Sequence, residues 1–276
     1  MIYPDFYEKF ECKADMCFHT CCKGWEIDID DDTAEFYRTL EGKIGDKLRI
    51  AANLEPEDGS QPHFILKNEK CPFLLESGLC EMILEEGEDI LCDICSLHPR
   101  FFGQYQNIDY AGVGLSCEKS CELLLETDEP ITFVGDEVKE FNRVFSTASL
   151  TYTPEFSEVD VEELIEIFSE TEPIDENWTL HIEELQGKIG EITDKIEKYT
   201  LEYNAKLYNR IYSYILYRQL ERCEEYSWEV LCDYAAICTD FVFMEDALTR
   251  DTKEALRRFS EQIEYCPENV SFLMEL

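Results

Sequence analysis

Apolar residues follow two rhythms along the chain. From about residue 136 onward the rhythm is helical: in SEVDVEELIEIFSE, Val161, Leu164, Ile165 and Phe168 stand at i, i+3, i+4 and i+7, one stripe of an amphipathic helix. Trp178, Ile182, Leu185, Ile189, Ile192, Ile196 and Tyr199 continue at steps of four and three, which predicts one long helix. Gly187 and Gly190 weaken that helix by about 1 kcal/mol each. Further helices are predicted over 201–220, 227–246 and 253–265, with the acidic, proline-bearing segments 126–136 and 170–177 as joints.

The earlier part of the chain is cut into short pieces by EPEDGSQP (55–62), ESG (76–78) and the glycines at 103, 112 and 114. Between the cuts lie a short helix, DDTAEFYRTL (31–40), and alternating runs that read as strands: WEIDID (25–30), HFIL and NIDYAGV. No single one of these elements buries much, so cross-links through metal would supply cohesion. The expected fold is mainly α: an irregular, cysteine-rich metal-binding head with short strands over 1–125, then a helical bundle over 126–276 packed on it.

Composition sharpens this picture in two respects. Of 276 residues 45% are apolar, enough for a real core, and 62 Asp and Glu against 24 Lys and Arg give a net charge of −38. A surface of that sign repels nucleic acid and anionic membrane and steers basic partners inward. The opening MIYPDFYEKFECK lacks the basic-then-apolar order of a signal peptide, and no run is long and apolar enough for a membrane span, so the expected location is cytoplasmic. Thiols there stay reduced unless something binds them, and a thiol pattern reads as metal before disulfide.

Ten of the fourteen cysteines fall within the first 121 residues. They read C-x4-C-x3-C-C-x2-W (12–25), CPFLLESGLC (71–80), LCDICSLHPR (91–100) and LSCEKSC (115–121). Cys17 with Cys21, Cys92 with Cys95, and Cys117 with Cys121 each share a face of a helix or tight turn. The adjacent Cys21 and Cys22 point apart, which suits either the junction of one polynuclear centre or a place between two sites. Four thiolates suffice for a zinc ion or a four-iron cluster, and only Cys92 and Cys95 form a two-residue knuckle, so zinc and iron–sulfur both stay open. Cys223, Cys232, Cys238 and Cys266 read as small hydrophobes. His98 is a ligand, a support for one, or a surface residue. Gly112-Val-Gly114 lacks the third glycine and the helix of a dinucleotide site and reads as a turn; no phosphate-binding loop and no H-E-x-x-H occur.

In order and content, Phe10-Glu-Cys12, Cys17, Cys21-Cys22, Trp25 and Ile27, then Cys71-Pro-Phe-Leu and Gly78-Leu-Cys80, then Leu91-Cys92, Cys95 and His98-Pro-Arg100, then Leu115-Ser-Cys117 resemble the flagellin lysine N-methylase family. That family is loosely related to the CxxCxxCC proteins described as zinc- or iron-chelating. The helix ending Tyr214-Ile-Leu-Tyr-Arg218 adds a weaker match. His98 stands where many relatives have tyrosine, and Cys92 and Cys121 match only part of the family. The resemblance implies S-adenosylmethionine-dependent methylation of lysine side chains on flagellin, or on another lysine-bearing protein, by a protein with a cysteine-bound iron–sulfur cluster (4Fe-4S) or zinc.

The metal ligands expected are Cys12, Cys17, Cys21, Cys22, Cys71, Cys80, Cys92, Cys95 and Cys117. Trp25 and Arg100 are candidates for the donor site: Arg100 as a bidentate partner for the donor carboxylate or a neutraliser of thiolates, Trp25 as an aromatic that seals the centre. The chain has neither the glycine-rich loop of an ordinary methyltransferase nor the C-x3-C-x2-C of radical enzymes that use the same donor, since position 24 is Gly24. Two alternatives remain: a non-catalytic zinc- or iron-binding protein whose metal holds the fold while the helical half binds a partner, and a carrier of metal or redox equivalents.

Overall fold

WEVLCDYAAICTDFVFMEDALT is apolar on nearly every side, and a helix of that kind has to be wrapped by other elements. In the computed structural model, which describes residues 1–147, 150–154, 156 and 158–276 except the side chains at 158 and 159, that is what surrounds it. Ser157, at the head of the run SEVDVEELIEIFSE, lies outside the described residues.

In chain order the elements are β1 (Ile2–Pro4), α1 (Asp31–Thr39), α2 (Gly42–Ala51), β2 (Ala52–Asn53), β3 (His63–Phe64), α3 (Glu81–Glu86), α4 (Asp93–Leu97), β4 (Arg100–Tyr105), β5 (Ile108–Val113) and α5 (Glu118–Leu124). They continue with β6 (Phe133–Gly135), α6 (Val138–Val144), α7 (Glu158–Ser169), α8 (Glu176–Gln186), α9 (Ile189–Thr200), α10 (Ala205–Arg218), α11 (Trp228–Thr249), α12 (Thr252–Phe259) and α13 (Pro267–Met274). A single π-turn, Ser260–Glu264, follows α12. The protein is mainly α, as the periodicity predicts.

The chain divides into two compact units, Cys12–His98 on one side and Met1–Glu11 with Pro99–Leu276 on the other. The boundary expected at 125/126 therefore falls inside the larger unit, and the physical reason is the tyrosine face of α10. Tyr214 donates to the Val113 carbonyl and accepts from its N–H, both at 2.8 Å, and Tyr217 donates to the Ala111 carbonyl at 2.8 Å. These bonds bind the β4–β5 hairpin to the helices. The sheet order is β4-β5-β1-β6: β5 pairs antiparallel with β4 and parallel with β1, and β6 closes the far edge antiparallel to β1.

Around α11 pack α7, α9, α10, α12 and α13. Ser227 caps its N-terminus by accepting from the Val230 N–H, and Arg250 in the left-handed region (φ 61°) ends it. The single helix expected over 178–199 is broken: α8 stops at Gln186 and α9 starts at Ile189, with Gly187 as the cap. The apolar stripe runs through the break, because Trp178, Ile182, Leu185, Ile192 and Ile196 are all buried in the same core. Gly112 lies in β5, while Gly114 opens a turn in which its carbonyl accepts from the Cys117 N–H at 3.4 Å, and both leave room for side chains. A Cβ on Gly112 would lie 2.3 Å from the Phe101 ring, and one on Gly114 2.1 Å from the Tyr265 hydroxyl.

Two carboxylates of this unit are held by tyrosine hydroxyls. The Asp246 carboxylate accepts from Tyr199 (2.5 Å), Tyr208 (2.7 Å) and Thr252 (2.8 Å). Tyr152 donates to Asp240 at 2.5 Å, and burial pushes that carboxyl up from 3.8 to about 7, against the pull of the tyrosine hydrogen bond. The folded protein therefore holds a proton on Asp240 that the unfolded chain has released, and stability from this group falls as pH rises between those two values. Asp240→Asn keeps an acceptor for Tyr152. Its urea midpoint at pH 8 is expected to exceed the parent's by a margin equivalent to about 2 kcal/mol, and the difference should vanish toward pH 4.

The smaller unit has its own core of Ile27, Ile29, Tyr37, Ile44, Leu48, Phe64, Phe73, Met82 and Ile90. Asp30 caps α1 by accepting from Thr33 at 2.9 Å and takes the Asp93 N–H at 3.0 Å, so one carboxylate ties the starts of α1 and α4. Of WEIDID, only Asp28 bridges His63; it forms no continuous strand. The α1–α2 corner requires a glycine, because a Cβ on Gly45 would lie 2.0 Å from the Leu40 carbonyl oxygen. Gly45→Ala should shift that backbone and cost about 2 kcal/mol in denaturant unfolding.

Candidate metal centre

Three chain segments bring thiols to the core of the smaller unit. Cys71 and Cys92 are buried in that core, and Cys22, Cys80, Cys95 and Trp25 pack against it half-buried. Short-range backbone geometry sets most of these positions. The Cys71 N–H donates to the Cys22 carbonyl at 2.9 Å, which lays the 20s segment beside CPFL. Leu74 bridges Cys80 across the ESG turn, and Cys80 stands at the N-terminal cap of α3. Cys92 occupies the same place on α4, and Cys95 follows one turn later on that helix.

Electrostatics record the proximity of the five thiols. Burial pushes Cys71 up to about 12, and charge on Cys22 and Cys80 pushes in the same direction. Burial also raises Cys80, with a further push from Cys22. A hydrogen bond from Cys95 lowers Cys92, so within that pair Cys92 ionises first and Cys95 keeps the proton; charge on Cys22 and Cys71 adds to the rise at Cys95. The neighbouring Cys21 donates to Cys22 and brings it down to about 7. Clustered thiols that oppose one another's ionisation are a soft donor set for a cation that removes the repulsion. As the side chains stand, no group of three or more His, Cys, Asp or Glu among the described residues is arranged to hold a metal ion.

The other expected ligands are distributed as follows. Cys12 is exposed, and its sulfur accepts from the Ala14 N–H at 3.4 Å; Cys17 is half-buried and Cys21 exposed. Phe18, between them, is 88% exposed. Trp25 donates to the Cys21 carbonyl at 2.7 Å, and its ring centroid lies 6.2 Å from that of His98, so it anchors the doubled cysteine. Cys117 caps α5 in the larger unit, beside the buried Cys121, whose thiol donates to the Leu115 carbonyl at 2.9 Å. Arg100, also in the larger unit, starts β4 with its guanidinium 5.1 Å from the Phe10 ring and 5.8 Å from Tyr7.

Two features of the larger unit escaped the sequence pattern. Arg218 is buried between the Phe101 and Tyr265 rings, at 5.0 and 4.7 Å, with Glu264 as its ionic partner at 3.6 Å. The two residues lie 46 apart in sequence, and no local periodicity signals such a pair. Nothing in the spacing of the aromatic pair Tyr7 and Phe10 announces their cation, Arg100.

No family model, no curated protein and no solved structure matches the chain.

Proposed function

We propose that this chain is an S-adenosylmethionine-dependent protein-lysine methyltransferase, acting on flagellin or another lysine-bearing protein, with a zinc or iron–sulfur centre held by thiolates of residues 12–98. The observation that carries the metal is the gathering of Cys22, Cys71, Cys80, Cys92 and Cys95 around one small core. Thiolates from several segments are the donor set of both zinc and four-iron sites, and Cys12, Cys17 and Cys21 lie on the stretch that leads into Cys22. When bound, an iron of a cluster with an open position supplies Lewis-acid or redox chemistry.

The methyl-transfer part rests on the resemblance of the cysteine blocks. Charge supports it in a general way: at −38 the protein attracts a lysine-bearing substrate. Methyl transfer needs the amine neutral, so a carboxylate or tyrosine of this chain takes the lysine proton before the nitrogen accepts the methyl group. Arg100, lying over Tyr7 and Phe10, offers a cation for the donor carboxylate.

A second reading is favoured by the burial of Cys71 and Cys92 in the core itself, where a metal would act as a cross-link for a unit with little sheet. In that reading the protein binds metal and catalyses nothing. Incubation with flagellin and methyl-labelled donor, anaerobic and reduced, separates the two. Label on lysine is the expected result, and metal-loaded protein that transfers none supports the non-catalytic reading.

A further inference from the structure

An open pocket of about 560 Å³ in the larger unit is lined by Tyr105, Gln106, Val144, Cys223, Tyr226, Ser227 and Trp228. Three elements meet there: the tip of the β4–β5 hairpin, the end of α6 and the start of α11. Each wall is fixed by contacts of its own. Gln106 sits in the hairpin turn at φ 50° and donates to the Tyr105 hydroxyl at 3.4 Å. Trp228 packs edge-on against Phe145 at 6.2 Å and is still 41% exposed.

Charge selects among ligands for such an aromatic pocket. None of the lining residues is Lys or Arg. The adjoining chain carries Glu221, Glu224, Glu225 and Glu229 against Arg222 and, next to Val144, Arg143; Arg222 is itself bonded to Glu225 at 3.4 Å. The positive end of α11 is answered within the chain by the Ser227 hydroxyl, which accepts from Val230, and by Glu229 in the first turn. What is left is three electron-rich aromatic side chains around an open pocket on an acidic protein, a setting that attracts an organic cation to aromatic rings. We propose that this cavity binds a small alkylammonium cation. The proposal depends neither on a metal nor on methyl transfer.

The test is titration of the whole protein with choline and with its uncharged carbon isostere, in which a tert-butyl group replaces the trimethylammonium. Binding is followed by tryptophan fluorescence and by saturation-transfer NMR of the ligand methyls. Choline should bind about fivefold or more tightly than the isostere. Trp228→Ala and Tyr226→Leu, each with the parent's circular dichroism, should weaken choline to the level of the isostere, and Trp228→Phe should keep most of the preference. Equal binding of the two ligands, no choline binding at tens of millimolar, or undiminished choline binding in both folded variants would overturn the proposal.

Discussion

Cys71→Ser protein, purified without oxygen, is expected to lack metal and to have residues 12–98 unfolded, while the larger unit keeps its helical signal. Cys71 is buried, its N–H holds the Cys22 carbonyl at 2.9 Å, and Phe73 two residues on is fully buried in the same core. Serine preserves the volume and removes the soft donor. A structural thiolate–metal site contributes about 10–16 kcal/mol, as much as the whole stability of an ordinary domain. Metal analysis together with limited proteolysis checks the outcome: new cleavages should fall between residues 12 and 98. Cys266→Ser should change neither readout, since that thiol lies in the larger unit, where it meets Glu268 at 3.5 Å. Full metal content in Cys71→Ser would remove Cys71 from the centre.

Arg218→Met should be the most damaging single change in the larger unit. The Arg218 side chain is 11% exposed and that of Glu264 1%, at 3.6 Å from each other. The Arg218 guanidinium also donates to the Glu264 carbonyl oxygen at 3.2 Å, while Ser260 donates to the Glu264 carboxylate at 2.5 Å. Removal of the cation leaves a carboxylate buried without its counter-charge, at a cost of about 3–5 kcal/mol. The double variant Arg218→Met/Glu264→Gln should recover most of that loss, because neither member of the pair then carries a charge. Denaturant unfolding of the parent, the two single variants and the double variant measures the coupling. Additive single losses, with no recovery in the double, would show that the pair does not act as a unit.

Much of the helical part was legible because its signal is local. The stripe Val161, Leu164, Ile165, Phe168 is buried as its spacing predicts, and in the one that begins at Trp178 five positions are buried while Ile189 and Tyr199 are half-buried. The break at Gly187 was marked by a glycine, but whether two glycines bend a helix or end it depends on the packing around them. The position of the unit boundary was not legible. It depends on β1, three residues long, pairing with β5 and β6 more than a hundred residues away, and on tyrosine hydroxyls of α10 that reach strand carbonyls. The cysteine spacing predicts a thiol-rich head over 1–125, and eight of its ten cysteines lie in the smaller unit. Which thiols converge was decided by nonlocal packing of Tyr37, Phe64 and Phe73 around them. The same spacing grouped Cys117 with the others, yet residue 117 belongs to the larger unit.

The central claim is that thiols of residues 12–98 hold a metal centre, and anaerobic purification with elemental analysis and a visible spectrum tests it most directly. The account predicts stoichiometric zinc in a colourless protein, or iron and sulfide in a coloured one, lost in either case when Cys22, Cys71, Cys80 and Cys95 are replaced together. Protein that folds fully, as judged by cooperative unfolding and resistance to proteolysis across residues 12–98, yet contains neither zinc nor iron, would contradict it.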